Sequence, residues 1–473
     1  MKRVGSELRE IFVAAMFLCV MVLIAVLRWP WSDGLWLDET LSAWTVSAGL
    51  QDAWRRALDF QTQSPLFYVI EWFIVRAGGS SEVSLRLVSI IAAIGSAGMV
   101  SLLAARFSSS RSVPLYAAGF LLGCDVFQVG AITARPYSLA TFSALLSIYA
   151  SLLLREMYSH RRAFLWVAAT LMTWYAHYLF IAVALANVIT VARNSATLRK
   201  TSMWLLILFG TCLPGAIHFF ELRSRASGLL FTRIPGFPEI LMDCVPMPLV
   251  VAATLGAVMA YIWQGRVGSD RLARATPYTL LPYLVVAPVT FMFLAVLTGG
   301  AVWLPRYWEW QTAVCTIVAA VLLGRIDGAP VKSLALLVAA FFIVVRGLVQ
   351  TWHSEEWRSV GRVARAYAGP IVLYSGLIEA ESMDSSSSAE FQQYVRAPLS
   401  VYGRTENVFL ARLSGSEEEL RVLFEKPALL IAAAKTVGSR RSPQRFLDAA
   451  TTMGRSVKQV ETNSSLITIH EIR

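Results

Sequence analysis

Charge is scarce in this chain. Across 473 residues Asp, Glu, Lys and Arg make up 15%, against about a quarter in a soluble globular domain. With 56% hydrophobic residues and a mean hydropathy of +0.56, that scarcity excludes an ordinary water-soluble domain and indicates a polytopic membrane protein. Cysteine is sparse too. Cys19, Cys124, Cys212, Cys244 and Cys315 stand singly, four of them in apolar runs, with no CxxC or Cys/His spacing, so neither a disulfide framework nor a zinc site has a pattern to rest on. A cleavable signal pattern is missing as well: the first apolar run, Ile11 to Leu27, ends in Arg28-Trp29-Pro30 without small residues and reads as a retained span. No internal repeat of useful strength is present.

What the chain does have is long apolar runs. Eleven are near the length of about 20 residues that crosses a bilayer as a helix, at roughly 11–28, 84–105, 113–131, 138–154, 163–176, 178–192, 202–220, 240–263, 277–298, 305–324 and 333–350. The net charge of +11 would suit a nucleic-acid partner, but the positions of Lys and Arg explain it without one. With the N-terminus cytoplasmic, Lys2, Arg3, Arg9, Arg106, Arg111, Arg155, Arg161, Arg162, Arg193, Arg199, Lys200, Arg266, Arg271, Arg274, Arg325 and Lys332 all fall on the cytoplasmic side, the positive-inside pattern. The same arrangement sends Asp38-Glu39, Arg135-Pro136-Tyr137, His177-Tyr178 and Arg306-Tyr307 to the opposite face. Pro65 to Val75 is apolar but short, and counting it as a span would invert every later loop. It is therefore expected along the interface, within a first outer loop of about 29–83 that carries surface helices anchored by Trp54 and Trp72.

After Gln350 the composition turns polar, and no later run is long enough to span. Residues 1–350 are thus expected to form the membrane domain and 351–473 a soluble domain on the outer side. Helix-like patches there (Glu355 to Tyr367, Ser416 to Phe424, Pro443 to Met453) alternate with strand-like ones (Ile371 to Tyr374, Val408 to Ala411, Leu429 to Ala433, Leu466 to His470), the pattern of a small α/β domain.

Two adjacent acids, Asp38 and Glu39, stand at the membrane surface among Trp29, Trp31, Trp36 and Trp44. Carboxylates beside a bilayer cost free energy unless water or a ligand meets them. Asp38 suits a general base or a divalent-metal ligand; equally, an acidic pair at the start of a Trp-bearing helix suits a capping role. Arg135 and Arg306 lie near outer span ends, where a guanidinium can hold a phosphate bidentately, although interfacial snorkelling is the commoner role for any one arginine. Tyr137, Tyr307 and Trp36 would shape a substrate groove or simply belong to an aromatic belt, the more frequent case. His177 would bind a phosphate or hydroxyl, or serve as a structural histidine. The loop Glu221 to Glu239 keeps Arg223, Arg225 and Arg233 outside, against the charge trend.

Taken in order, Leu37-Asp38-Glu39-Thr40, Gln63-Ser64-Pro65-Leu66-Phe67-Tyr68, Leu85-Arg86-Leu87-Val88-Ser89, Ala134-Arg135-Pro136-Tyr137-Ser138-Leu139 and Arg306-Tyr307 resemble the integral-membrane glycosyltransferases that include bacterial relatives of protein O-mannosyltransferases and the aminoarabinose transferase of lipid A. The resemblance runs from about Leu37 through Tyr307, with Glu356-Trp357-Arg358 opening the outer tail. It implies the GT-C fold, about eleven transmembrane helices with interfacial helices in the first outer loop, and a sugar donor linked to polyprenyl phosphate, usually transferred with inversion. Asp38 matches the acid this family places at its catalytic centre, and Glu39 its neighbour. Gln63 stands where the family often has His or Glu, and Thr133 where it often has an acid, so few ligands remain for a divalent ion. A metal at Asp38 is left open.

The expectation is a glycosyltransferase of a bacterial inner membrane, acting on the outer face upon a glycolipid, polysaccharide or protein of the envelope. Asp38 and Glu39 are its catalytic acids; Arg135, Arg306 and His177 hold the donor phosphate; Tyr137, Tyr307, Trp36 and Gln63 shape the substrate. The competing readings are a transporter or lipid flippase, and an inactive family member that scaffolds an envelope complex.

Overall fold

The structure is a computed structural model and describes residues 2–27, 34–61, 63–223, 236, 238, 271–297, 304–326, 329–349, 356–375, 388–411, 415–433, 443–460 and 466–473. The expected span 240–263 and nearly all of the Glu221 to Glu239 loop lie outside these residues.

Helix α1 (Lys2–Leu27) leads into three short helices of the first loop, α2 (Leu37–Thr45), α3 (Leu50–Asp59) and α4 (Leu66–Gly78). There follow α5 (Glu82–Phe107), α6 (Val113–Gly123), α7 (Asp125–Ala131), α8 (Tyr137–Glu156), α9 (His160–Ala176), α10 (Ile181–Ala192), α11 (Ser195–Lys200), α12 (Ser202–Arg223), α13 (Arg271–Leu297), α14 (Glu309–Gly324) and α15 (Ala329–Val349). Among the described residues five helices are long and apolar enough to cross a membrane: Glu7–Leu27, Glu82–Phe107, Tyr137–Glu156, Ser202–Glu221 and Tyr278–Leu297. The expected run 178–192 forms a shorter apolar helix, Tyr178–Ala192, and 333–350 corresponds to Lys332–Val345. The run 305–324 opens with a 3-10 turn, Pro305–Trp308, before α14 begins.

One expected span needs correction. Residues 113–131 are not one straight helix but two, α6 and α7, bent by 75° at Cys124. Asp125 opens α7, where a carboxylate meets the positive end of the new helix. Hydropathy runs on through the bend and conceals it.

Outward-facing side chains of the long helices are apolar, among them Leu206, Phe209 and Phe220 on α12 and Val289 and Phe293 on α13. Only a lipid surrounding accepts such a surface at no cost, and the chain is a multi-pass membrane protein. Between helices the interior is partly polar. Asn187 donates to Ser147 Oγ at 2.9 Å and accepts from the Tyr283 hydroxyl at 2.9 Å, a side-chain bridge between α8, α10 and α13 of the sort that joins helices where the hydrophobic effect cannot.

The C-terminal part contains α16 (Trp357–Ala366), β1 (Ile371–Ser375), α17 (Ala389–Val401), β2 (Val408–Leu410), α18 (Glu417–Phe424), β3 (Ala428–Ala433), α19 (Gln444–Thr452), β4 (Val457–Val460) and β5 (Ile467–Ile472). The strands form one mixed sheet of order β2-β1-β3-β5-β4, parallel across β2-β1-β3 and antiparallel across β3-β5-β4. Side chains alternate between faces with period two. Val372, Tyr374, Leu430 and Ala432 pack under α18 and α19. Ile371, Leu373, Leu429 and Ile431 pack on the other side with Trp357 and Ala364 of α16, Tyr394 of α17, and Leu37, Leu41 and Trp44 of the loop helix α2. The C-terminal layer thus shares a core with the first loop. Each leucine of α2 buried in it contributes roughly 1.5–3 kcal/mol.

Candidate active site

The site is assembled where α2 begins. Trp36 is the residue before the helix, in extended conformation, and Asp38 and Glu39 occupy the first turn, where exposed N–H groups favour negative charge. The two acids meet different surroundings. Glu39 is fully buried. Its Oε1 accepts from Arg86 Nε at 2.8 Å and from the Ala134 N–H at 2.9 Å, and its Oε2 from Arg86 Nη2 at 2.7 Å and the Trp36 N–H at 3.2 Å. Asp38 keeps 17% of its side chain exposed and lies 3.4 Å from Arg306 Nη1 and 4.0 Å from Arg135 Nη2.

These contacts explain why motifs scattered over 270 positions of the chain meet. Arg86 and Ser89 share a face of α5, one turn apart. Arg86 grips Glu39, while the Ser89 hydroxyl donates to the Arg135 carbonyl at 3.0 Å. Glu39 in turn holds the Ala134 N–H, so the turn before α8 is fixed from two sides and Arg135 is set against Asp38. Arg135 is buried and donates from Nη1 to Gln61 Oε1 at 2.7 Å and to the Tyr68 hydroxyl at 3.3 Å. Gln61 is bound through Nε2 to Thr45 Oγ1 at 3.1 Å. Gln63 stands one step further out, accepting from Tyr68 at 3.4 Å.

Arg306 sits on the 3-10 turn ahead of α14, with its guanidinium 5.5 Å from the Tyr137 ring, 5.9 Å from Tyr307 and 6.0 Å from Trp36, distances at which cation–π attraction acts. Just behind it, Glu309 is fully buried and accepts from the Ser138 hydroxyl at 3.1 Å. A Cβ at Gly130 would strike the Glu309 carboxylate, so a glycine lets α7 approach the start of α14 closely.

His177 completes an aromatic wall, with its ring 5.5 Å from Tyr137 and 5.2 Å from Tyr307. Its Nδ1 accepts from the Leu179 N–H at 3.3 Å, which fixes the neutral tautomer with the proton on Nε2. Nε2 has no partner among the described residues. Burial, reinforced by Arg135 and Arg306, pushes the His177 pKa down to about 3, so the ring is a neutral donor at physiological pH.

The structure therefore brings Asp38, Arg135, Arg306, His177, Tyr137, Tyr307 and Trp36 together, with Gln63 linked through Tyr68. Glu39 adjoins them, but all of its contacts are internal. Sequence reading missed several neighbours. Arg86 was visible inside a resembling motif, and a cation in an apolar run calls for a partner. Glu71, the lone acid of α4, is fully buried, and neither oxygen has a hydrogen bond among the described residues. Burial raises its pKa well above the usual carboxylate range, partly offset by Arg135 and reinforced by Glu39.

A divalent metal fits poorly. Among the described residues no three His, Cys, Asp or Glu side chains converge, and the groups nearest Asp38 are guanidiniums, which repel a cation.

Apolar spans, short helices in the first loop and a C-terminal α/β layer together give the chain an ArnT-like fold. The chain is similar over 97% of its length and 97% of theirs to two solved structures of ArnT from Cupriavidus metallidurans: bound to undecaprenyl phosphate, with a TM-score of 0.57 at 13% identity, and in the apo state, with a TM-score of 0.51 at 12% identity. The likeness is one of fold, and it bears out at that level the resemblance read from the motifs. No family model and no curated protein matches the sequence.

Proposed function

We propose that the protein is a membrane glycosyltransferase that moves a sugar from a polyprenyl-phosphate carrier to a hydroxyl of a cell-envelope acceptor, on the outer face of a bacterial inner membrane. The observation that carries this reading is the incomplete pairing of Asp38. It is a part-exposed carboxylate between two arginines, neither within 3 Å of it, beside a Glu39–Arg86 pair whose charges meet each other at 2.7 and 2.8 Å.

The donor phosphate would compete for Arg306 and Arg135. As the guanidiniums turn to it, Asp38 is released to act as a base. The acceptor oxygen forms a bond to the anomeric carbon, its proton passes to Asp38, and the bond from that carbon to the carrier phosphate oxygen breaks with its electron pair left on the phosphate. Inversion follows from attack opposite the leaving group. Arg135, Arg306 and the His177 Nε2–H stabilise the charge that develops there, and Tyr137, Tyr307 and Trp36 form the wall for the sugar. Glu39 positions Asp38 and makes no contact with substrate. The bound carrier of the solved ArnT structure supports a polyprenyl phosphate as the ligand class.

The test is transfer of radiolabelled sugar from a panel of polyprenyl-phosphate donors to an envelope extract by the purified protein in detergent, beside Asp38→Asn of equal folding. Transfer that Asp38→Asn abolishes supports the reading, and equal transfer by both proteins would overturn it. A parallel arm with chelator is expected to leave transfer unchanged.

A further inference from the structure

The short stretch entering the Asp38 helix is gripped from two directions. From the membrane side, Arg86 Nη2 donates to the Gly34 carbonyl at 3.3 Å as well as to Glu39. From the other side, the Tyr402 hydroxyl accepts the Leu35 N–H at 2.6 Å and donates to Glu82 Oε1 at 2.8 Å. Glu82, the first residue of α5, also pairs with Arg358 of α16. Tyr402 follows the last turn of α17, where the chain reverses at Gly403 with φ of +83°. Tyr402 lies against α16 so closely that a Cβ at Gly361 would strike its Cβ, and a Cβ at Gly34 would strike Arg358.

The far end of α2 is held by the same layer. Trp44 packs edge-on against Tyr394 of α17 at 5.3 Å. The Arg56 guanidinium lies 4.1 Å from the Trp44 ring centroid and donates to the Trp44 carbonyl at 2.8 Å. Arg55 and Arg56 both pair with Glu390 of α17, at 2.5 and 3.2 Å. The C-terminal layer therefore holds both ends of one nine-residue helix.

We propose that the C-terminal layer is a clamp that positions the Asp38 helix over the membrane site, with Tyr402 as its principal positioning residue. A helix of this length has little stability of its own, so its orientation is set by what it is fastened to. Hydrogen bonds on Gly34 and Leu35, four and three residues ahead of Asp38, fix where its carboxylate stands relative to Arg135 and Arg306. The proposal rests on Asp38 being the acid of transfer, but the clamp itself has a readout that does not need activity.

The experiment uses the full chain in detergent. Tyr402→Phe keeps the ring and removes both hydrogen bonds. Amide hydrogen exchange of residues 35–45 is expected to rise about tenfold, the equivalent of one lost hydrogen bond, with the spans unaffected. kcat is expected to fall about 10- to 100-fold, the range a displaced catalytic group produces, while KM for the donor stays within about twofold. Glu390→Gln, at the exposed edge of the clamp, is expected to move both in the same direction by less, and it serves if Tyr402→Phe fails to fold. Unchanged exchange at 35–45 would overturn the clamp, and raised exchange with unchanged kcat would overturn positioning. If Asp38→Asn transfers as well as wild type, the role of Asp38 falls, and exchange still decides the clamp.

Discussion

Asp38 and Glu39 are adjacent in the chain and have opposite surroundings. Around Glu39 both carboxylate oxygens are engaged, by two short buried bonds to Arg86 and by two backbone donors. Around Asp38 the arginines stand off at 3.4 and 4.0 Å and the side chain keeps access to solvent. A charged group that has met all its partners is a structural joint, and one whose partners are only half engaged has capacity left for a ligand. The difference separates scaffold from site more sharply than residue type does.

The contrast can be broken experimentally. The largest effect is expected at the open acid: Asp38→Asn lowers kcat by about 10²- to 10⁴-fold, the share a general base supplies, with thermal unfolding in detergent unchanged. The closed joint should behave in reverse. Arg86→Met leaves the Glu39 carboxylate buried without its cation, a loss of about 3–5 kcal/mol, and a drop in melting temperature or in recoverable protein measures it. If Arg86→Met folds normally and only slows transfer, the distinction between joint and site fails. Arg306→Gln removes one phosphate donor and is expected to cost about 10²-fold in kcat/KM, read by donor titration, with stability again unmoved.

The smallest effect is expected at Glu71, and its sign is definite. Its folded pKa is raised from 4.5, so the folded state holds a proton that the unfolded state releases once the pH passes that value. Stability then falls as the pH rises above about 4.5, by at most about 1.4 kcal/mol per unit. Glu71→Gln removes this dependence: it should match wild type near pH 4 and melt at a higher temperature at pH 7–8. Identical melting across that range would show Glu71 to be solvated or paired.

The sequence made the site legible where a residue had to break the hydropathy of its surroundings. Asp38, Arg135 and Arg306 interrupt apolar or aromatic stretches, and their cost there announces them. Gln61, Tyr68 and Ser89 do not, because uncharged polar residues are unremarkable until their partners are seen. In the C-terminal layer the apolar strands β1 and β3 were readable, whereas β4, Val-Lys-Gln-Val at the sheet edge, and α17, which carries Pro398, were not. An edge strand exposes half its residues and loses its pattern, and proline argues against a helix unless it falls near the end. The bend at Cys124 was hidden for the opposite reason, since apolar residues continue on both sides of it and a single acid, Asp125, is its only mark. The bond from Tyr402 to Leu35 spans 367 residues, a separation no periodicity reports.

That separation has a consequence for how the protein is made. Synthesis runs from the N-terminus, and domains form in that order. The segments that carry Arg86, Arg135 and Arg306 emerge from the ribosome before α17 exists. Until Glu390 and Tyr402 have been translated and delivered to the same side as α2, the Asp38 helix is held only from the side of Arg86 and Ala134. A nascent or prematurely terminated chain would therefore reach the membrane without a competent centre, and activity would be the last property the growing polypeptide acquires.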